Sequence, residues 1–416
     1  MPGVGPKPSA PAGDNDPTFE ISRARQWYLI GNDLTTGHDA FDIQVVAPDG
    51  VGFVDMWMDD QPGVRLVDAG TDFRQSIDIA ALEPGEHEVL LAADGADTAF
   101  ARVTFTRTHP LYVLVSTDWD DADNTDDQLG RQQLLHDEHP ELRLTHFVGP
   151  YTFTDTTVTT ERVGQLVDWL LDMRDAYDDE IGLHIHPYCN FVDTTSVPCR
   201  TEPSTVYPAG DDTGYTVIVG SYTEEEFTTL LNAAGDLFEQ HGLGRPTSFR
   251  AGGWTAEINT MHSLAAAGYV VDSSANNWAR MEEWDGSPPD AILYDWNMEA
   301  WGPIGDTSQP YYPNVDDILS DAAPTVPVLE VPDNGILVDY VEYLEMVEIF
   351  EANWPGGALT QPTVFQIGFH PPNFSDFFRQ KIDATLDETD LYRYSRDEGP
   401  VVYATLSEMV QVWPAN

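Results

Sequence analysis

Four short stretches place ionisable side chains where an apolar run stops. "EIGLHIHP" ends with His184 and His186 two residues apart, so on a strand both imidazoles point to one face. Neutral imidazole nitrogens converging from one face suit zinc or a related divalent ion, although paired histidines also occur as hydrogen-bonded strand residues. "LYVLVSTD" ends with Asp118, and Asp120 follows two residues later on the same face. "TVFQIGFHPP" carries His370, a residue type whose pKa suits proton transfer near neutrality. "SFRAGGW" carries Arg250 ahead of glycines that let backbone come close to a ligand. An arginine there is expected to pair with a carboxylate of the aspartate stretch. Carboxylates, imidazoles and a guanidinium of this kind could hold a metal and flank it with a base and an acid.

The stretch "STDWDDADNTDD" has aspartate at six of its twelve positions, and it divides. Asp121 and the acids beyond it fall in a turn and a first helical turn, where Asp123, Asp126 and Asp127 favour the helix dipole and stay solvated. An EF-hand is excluded because its glycine and closing glutamate are missing at the required spacing. Other histidines, such as His136, His139, His241 and His262, read as ordinary helix or surface positions.

Hydrophobic patterning indicates which elements must position these residues. From residue 108 to 416, apolar strands alternate with amphipathic helices such as "TERVGQLVDWLLDMRDAY" and "TEEEFTTLLNAAGDLFEQHG". Repeated units of this length predict an α/β domain, a parallel sheet of about seven or eight strands closing into a distorted (β/α) barrel, with function at the strand ends. Residues 18–107 read instead as short alternating strands broken by turns, which predicts a small all-β sandwich. Within them "LEPGEHEVLLAADG" resembles the penultimate hairpin of immunoglobulin-like extracellular modules. Residues 1–17, rich in Pro, Gly and Ala, are expected as a flexible linker. Between residues 275 and 325, Trp278, Trp284, Trp296, Trp301, Tyr311 and Tyr312 could pack a loop or wall a site for sugar rings.

Composition bounds the partners. With 71 Asp plus Glu against 19 Lys plus Arg, the formal charge of -52 repels nucleic acid and anionic membranes. Hydrophobic residues at 41 %, with 11 Trp, 17 Tyr and 18 Phe, supply a core and argue against disorder. Few lysines beside many acids resembles halophilic archaeal proteins, in which salt screens the self-repulsion. No apolar run approaches the roughly 18 residues of a membrane helix, and the first residues have neither the basic nor the apolar region of a signal peptide. Cys189 and Cys199, separated by a polar loop, are expected to form a local disulfide. That bond would place the chain in an extracellular or cell-surface setting.

Taken in order, "STDWD", "GLHIHP", "SFRAGGW", "VVDSS" and "IGFHPP" resemble the sequential motifs of the NodB-type polysaccharide deacetylases, carbohydrate esterase family four, over residues 108–416. The resemblance implies metal-dependent removal of N-acetyl, or O-acetyl, groups from an acetylated glycan. It implies Asp120, His184 and His186 as metal ligands, zinc being the expected ion, with Asp118 as general base. It further implies Arg250 as the arginine orienting that base, His370 as general acid, Trp254 as an aromatic lining the groove, and Asp272 as a further residue on the substrate side. Two departures stand out. The commonest family pattern has adjacent aspartates, which would make Asp120 the base and Asp121 the ligand. The second histidine usually lies four residues after the first, where this chain has Tyr188. With that ligand moved, hydrolysis of another linear or cyclic amide, or glycan binding without catalysis, are the alternatives.

Overall fold

Leu111–Asp118 is buried at every position, and so is Thr363–Phe369. Continuous apolar runs of this kind suit strands covered on both faces. The computed structural model describes residues 3–207, 211–286 and 291–415, and the chain divides into two units. Met1 and Pro2 of the expected linker, and residues 287–290 of the aromatic stretch, lie outside the described residues.

The smaller unit contains the chain up to Leu111 together with Trp354–Thr363 and Leu391–Val402. Its strands are β1 (Glu20–Arg23), β2 (Trp27–Leu29), β3 (Ala40–Val46), β4 (Val54–Met58), β5 (Val64–Arg65), β6 (Val67–Asp68), β7 (Phe73–Asp78), β8 (Gly85–Ala93) and β9 (Ala101–Thr108). Among the described residues they form two sheets, ordered β1-β3-β7-β6 and β2-β9-β8-β4-β5. Phe41, Ile43 and Val45 of one sheet share a core with Met56, Val89, Leu91 and Phe105 of the other. The alternating burial of β3 and β9 is what half-buried strands require.

Two features of this unit differ from the expected boundaries. The segment expected as a linker is tied to the Asp97–Arg102 edge: Ser9 N–H donates to Asp97 O and Ala99 N–H to Ser9 O, each at 2.9 Å. The late segments return because polar groups hold them. Asp397 accepts the Gln26 and Trp27 N–H groups at 2.7 and 2.8 Å, and Leu359 N–H donates to Thr108 Oγ1 at 2.8 Å. Nothing in their apolar pattern separates them from the surrounding strand-helix units.

The parallel sheet is built from β10 (Leu111–Asp118), β11 (Leu144–Val148), β12 (Glu180–Ile185), β13 (Ser248–Ala251), β14 (Val271–Asp272), β15 (Leu329–Glu330) and β16 (Thr363–Phe369), nearly all in the larger unit, with β17 (Val401–Tyr403) beside them. Among the described residues the sheet runs β15-β14-β13-β12-β11-β10-β16, with β17 also on β10. Pairing is parallel from β10 through to β15. After β15 the chain reaches β16, where Gly335 N–H donates to Gln366 O at 2.8 Å and Leu337 bridges Gly368. The parallel sheet is thus curled into a half-barrel, which fits the strand-helix alternation. Connecting helices start where threonines cap them: Thr125 before Asp126–Glu138, Thr159 before Thr160–Tyr177 and Thr223 before Glu224–Gln240. Glu224, Glu225 and Glu226 in one first turn add to the dipole.

His136 and His139 are not ordinary helix positions. Both are buried on aspartates, His136 at 3.0 Å from Asp179 and His139 at 3.1 Å from Asp390. The helix faces that carry them pack inward, and a buried imidazole takes a carboxylate partner.

Candidate metal centre and active site

Parallel register brings strand ends to one rim. Asp118 pairs with Phe147 along β10 and β11, and His184 with Arg250 along β12 and β13. The residues just past these strands, Asp120 and His186, therefore come together with His184 at the carboxyl edge of the sheet, where function is expected in such folds. His184 Nε2 lies 3.1 Å and His186 Nε2 3.5 Å from Asp120 Oδ1. Among the described residues, these three form the one group of His, Cys, Asp or Glu side chains whose ligand atoms all lie within 4.8 Å of one another.

The far nitrogens decide what this cluster can hold. His184 donates Nδ1–H to the carbonyl of Arg250 at 3.0 Å, and His186 donates Nδ1–H to the carbonyl of Tyr215 at 2.9 Å. A carbonyl only accepts, so Nδ1 of each ring carries a proton and Nε2 is the nitrogen left to meet a cation. Two Nε2 atoms and a carboxylate oxygen then converge, an arrangement that a cation between them would satisfy. Burial works against ionising Asp120, but nearby positive charge, that of His370 first, outweighs it and holds the carboxyl well below the usual range. Two imidazoles and a carboxylate, with carbonyls fixing the rings from behind, fit a divalent ion such as zinc.

Glycines make the approach of His186 feasible. A Cβ on Gly252 would lie 2.6 Å from the His186 ring, and one on Gly253, at φ +59, would lie 2.5 Å from the Tyr207 hydroxyl. The glycines after Arg250 thus admit a protein side chain, not only a ligand as their spacing suggested. Trp254 follows with φ 57, a conformation uncommon for a bulky residue and found at functional sites.

A carboxylate and an imidazole flank the trio. Asp118 is fully buried and receives Arg250 Nη1 at 3.0 and 3.2 Å on its two oxygens. Arg250 also donates to Ser116 and Ser273 hydroxyls at 2.9 Å and reaches Asp333 at 3.3 Å. Opposite, His370 Nδ1 lies 3.2 Å from Asp339, whose carboxylate also accepts the His370 N–H at 3.1 Å. Burial alone would lower the His370 pKa; Asp339 and Asp120 overcome it and push the imidazole up to about 10, so it carries its proton at neutral pH.

A cavity of about 170 Å³ joins these groups, lined by Asp118, Asp120, His184, His186 and His370 and walled by Trp254, Trp284, Tyr207, Tyr215 and Tyr340. A larger one, about 530 Å³, lies on the smaller unit against β1, β3 and β7 and contains none of this chemistry. Asp121 is outside the site: it is exposed and lines a different cavity with Asp123 and Tyr188. Tyr188, at the fourth residue after His184, packs its ring against Tyr151 and Tyr215. Asp272 is also outside. It is fully buried on β14, accepts the Ser274 hydroxyl at 2.8 Å, is pushed up to about 6 by burial against the hydrogen bond of Glu330, and does not line the cavity. Of the aromatic stretch, Trp284 reaches the cavity, whereas Trp278 and Trp301 are buried core. The predicted disulfide joins Cys189 to Cys199.

Sequence reasoning missed Asp339, Asp333 and Tyr215. Asp339 had a signal, since "GILVD" is an apolar run closed by an acid, the same filter that found His370. Tyr215 had none, because it stands in the polar loop "DDTGYT".

No family model and no curated protein matches the chain. Solved structures similar to it include a Mycobacterium smegmatis protein assigned as a polysaccharide deacetylase, at 15 % identity and TM-score 0.42 over 73 % of this chain and 89 % of that one. A family 4 acetyl xylan esterase from Clostridium thermocellum, solved with a cobalt ion, is similar at 11 % identity and TM-score 0.35 over 74 % and 93 % of the two chains. A peptidoglycan deacetylase from Bacillus subtilis is similar at 12 % identity and TM-score 0.34 over 73 % and 92 %.

Proposed function

We propose that the protein is a metal-dependent deacetylase of NodB type that hydrolyses the N-acetyl, or O-acetyl, group of a glycan. The observation that carries this reading is the single cavity shared by the Asp120, His184 and His186 trio, the Asp118 carboxylate on Arg250, and the His370 imidazolium on Asp339. A divalent ion bound by the trio would polarise the acyl carbonyl and lower the pKa of water. Asp118, held on Arg250, takes the proton of the attacking water. His370, charged at neutral pH, gives its proton to the leaving nitrogen or oxygen. Trp254 and Trp284 wall the acyl group and keep bulk water out.

The size of the cavity favours a second reading for the substrate. About 170 Å³ is below the roughly 300 Å³ at which pockets for larger ligands begin. It suits a small acyl amide, so another linear or cyclic amide is the alternative. The disulfide supports an extracellular or cell-surface setting. Among the described residues no helix is long and apolar enough to cross a membrane. The charge of -52 suits concentrated salt, and the smaller unit fits an immunoglobulin-like sandwich.

The test is acetate release from acetylated chito-oligomers and acetylated xylan, with and without chelator. Release abolished by chelator and restored by zinc is expected. Release from neither, with hydrolysis of small amides, would select the alternative. Neither hydrolysis nor stoichiometric metal would leave a glycan-binding protein.

A further inference from the structure

The trio is supported from a side that the strands do not supply. Its ligands end β10 and β12, yet the contacts that orient two of them converge on Tyr215, in the loop 211–217. The phenol of Tyr215 donates to Asp120 Oδ2 at 2.9 Å. Its carbonyl accepts the Nδ1–H of His186, also at 2.9 Å. Its ring lies over the same imidazole, centroids 4.1 Å apart and 18° from parallel. With Oδ2 engaged, Oδ1 is the oxygen turned toward both Nε2 atoms.

The loop is anchored to the disulfide segment. Cys189 N–H donates to Thr213 O at 2.7 Å, and Tyr207 N–H donates to Thr216 O at 2.7 Å, closing the loop at its base. Asp211 accepts the Thr213 N–H at 2.8 Å. Gly214, at φ +84, sits so close to the disulfide that a Cβ there would lie 2.4 Å from Pro187 O and 3.1 Å from the Cys199 sulfur. Disulfide, loop, Tyr215 and ligand pair are therefore one continuous set of contacts.

We propose that Tyr215 is a positioning residue of the metal centre, holding Asp120 and His186 in place from the disulfide-anchored loop. This rests on the reading of Asp120, His184 and His186 as metal ligands. Such outer contacts orient a ligand and raise its basicity, and removing one typically costs about 10–100-fold in metal affinity or activity. In this chain the loop supplies the support, and Tyr188 packs its ring against that of Tyr215, 5.1 Å away.

The experiment is a Co²⁺ titration of the full chain stripped by chelator, followed by the visible absorption of the bound ion, which reports affinity and coordination geometry. Tyr215→Phe keeps the ring and the carbonyl and removes the phenol. It is expected to bind Co²⁺ at unchanged stoichiometry, about 10-fold or more weaker, with shifted bands. The paired variant Cys189→Ser with Cys199→Ser leaves Tyr215 intact and frees the loop, and it is expected to weaken Co²⁺ binding with the same direction of band shift. Far-ultraviolet circular dichroism of each stripped variant checks the fold, and the paired variant carries the test if Tyr215→Phe does not fold. Wild-type affinity and spectrum in folded Tyr215→Phe would overturn the role of Tyr215 while leaving the metal reading intact. No Co²⁺ uptake by the wild type would overturn the metal reading itself, and this proposal with it.

Discussion

Two clusters in the barrel unit each set one aspartate against two histidines, and they differ in what the imidazoles do with their far nitrogens. At Asp179, His136 and His146 both turn Nε2 to one carboxylate oxygen at 3.0 Å, while the other oxygen accepts Leu144 N–H at 2.8 Å. Burial would raise the Asp179 pKa, but the two imidazole bonds outweigh it, so an ionised carboxylate receives Nε2–H from each ring. Protons already fill the space between the partners. At Asp120 the Nδ1 protons are committed to the carbonyls of Arg250 and Tyr215, and the Nε2 atoms face the carboxylate. The residue types are the same in both places. A carbonyl behind the ring is what separates a self-satisfied hydrogen-bond cluster from one that fits a metal.

The sharpest way to break this comparison is to remove one imidazole from each cluster. His184→Ala or His186→Ala is expected to abolish stoichiometric metal, measured by elemental analysis, and hydrolysis with it. His146→Ala is expected to leave metal content unchanged and to lower the unfolding temperature, since stranding a buried polar partner costs about 1–3 kcal/mol. Stoichiometric metal in His184→Ala would erase the distinction. A smaller effect separates roles within the larger site. Asp118→Asn and His370→Gln are each expected to lower kcat by about 10²–10⁴-fold with metal content intact. A variant that loses metal along with rate would move that residue into the ligand set.

The difference between the clusters was only half legible in the sequence. His184 and His186 stood out because they end a strand two residues apart, and Asp118, Asp120 and His370 stood out for the same reason. Strand ends are visible in apolar runs, so the residues that they carry are visible too. His146 lies inside a strand and His136 on a helix, and their shared partner Asp179 follows a left-handed helix cap at Asp178, so no local pattern links them. A partner delivered by a polar loop, Tyr215, was equally hidden, whereas Asp339 closes the apolar run "GILVD" and could have been found. Asp272 entered through the resemblance and not through the strand-end filter, and it lies fully buried on a two-residue strand paired with Glu330.

The structural histidines should report in stability and not in metal content. His139 lies 3.1 Å from Asp390 and 3.7 Å from Asp383. Burial alone would lower its pKa, but the two aspartates push it up to about 9. The folded value then exceeds the unfolded one of about 6.5, so the stabilisation from its charge is fully present below that pH. It is lost as pH rises through about 9. Thermal unfolding of the wild type is expected to fall across that window, while His139→Gln is expected to start lower and show a flatter profile. Parallel profiles would show that the pair is not charged in the fold.

The smallest expected effect fixes the register of the aspartate stretch. Asp120 faces both imidazoles, whereas Asp121 is exposed beside Asp123 and Tyr188. An exposed carboxylate acting through solvent contributes at most about 1 kcal/mol, so Asp121→Asn is expected to change the metal dissociation constant by less than about fivefold. Asp120→Asn replaces the oxygen proposed as ligand and is expected to lose stoichiometric binding. The reverse ranking would shift the ligand by one residue, to the register with adjacent aspartates. It would also mean that metal binding turns the Asp120–Asp121 peptide away from the geometry that now directs Asp120 at His184 and His186.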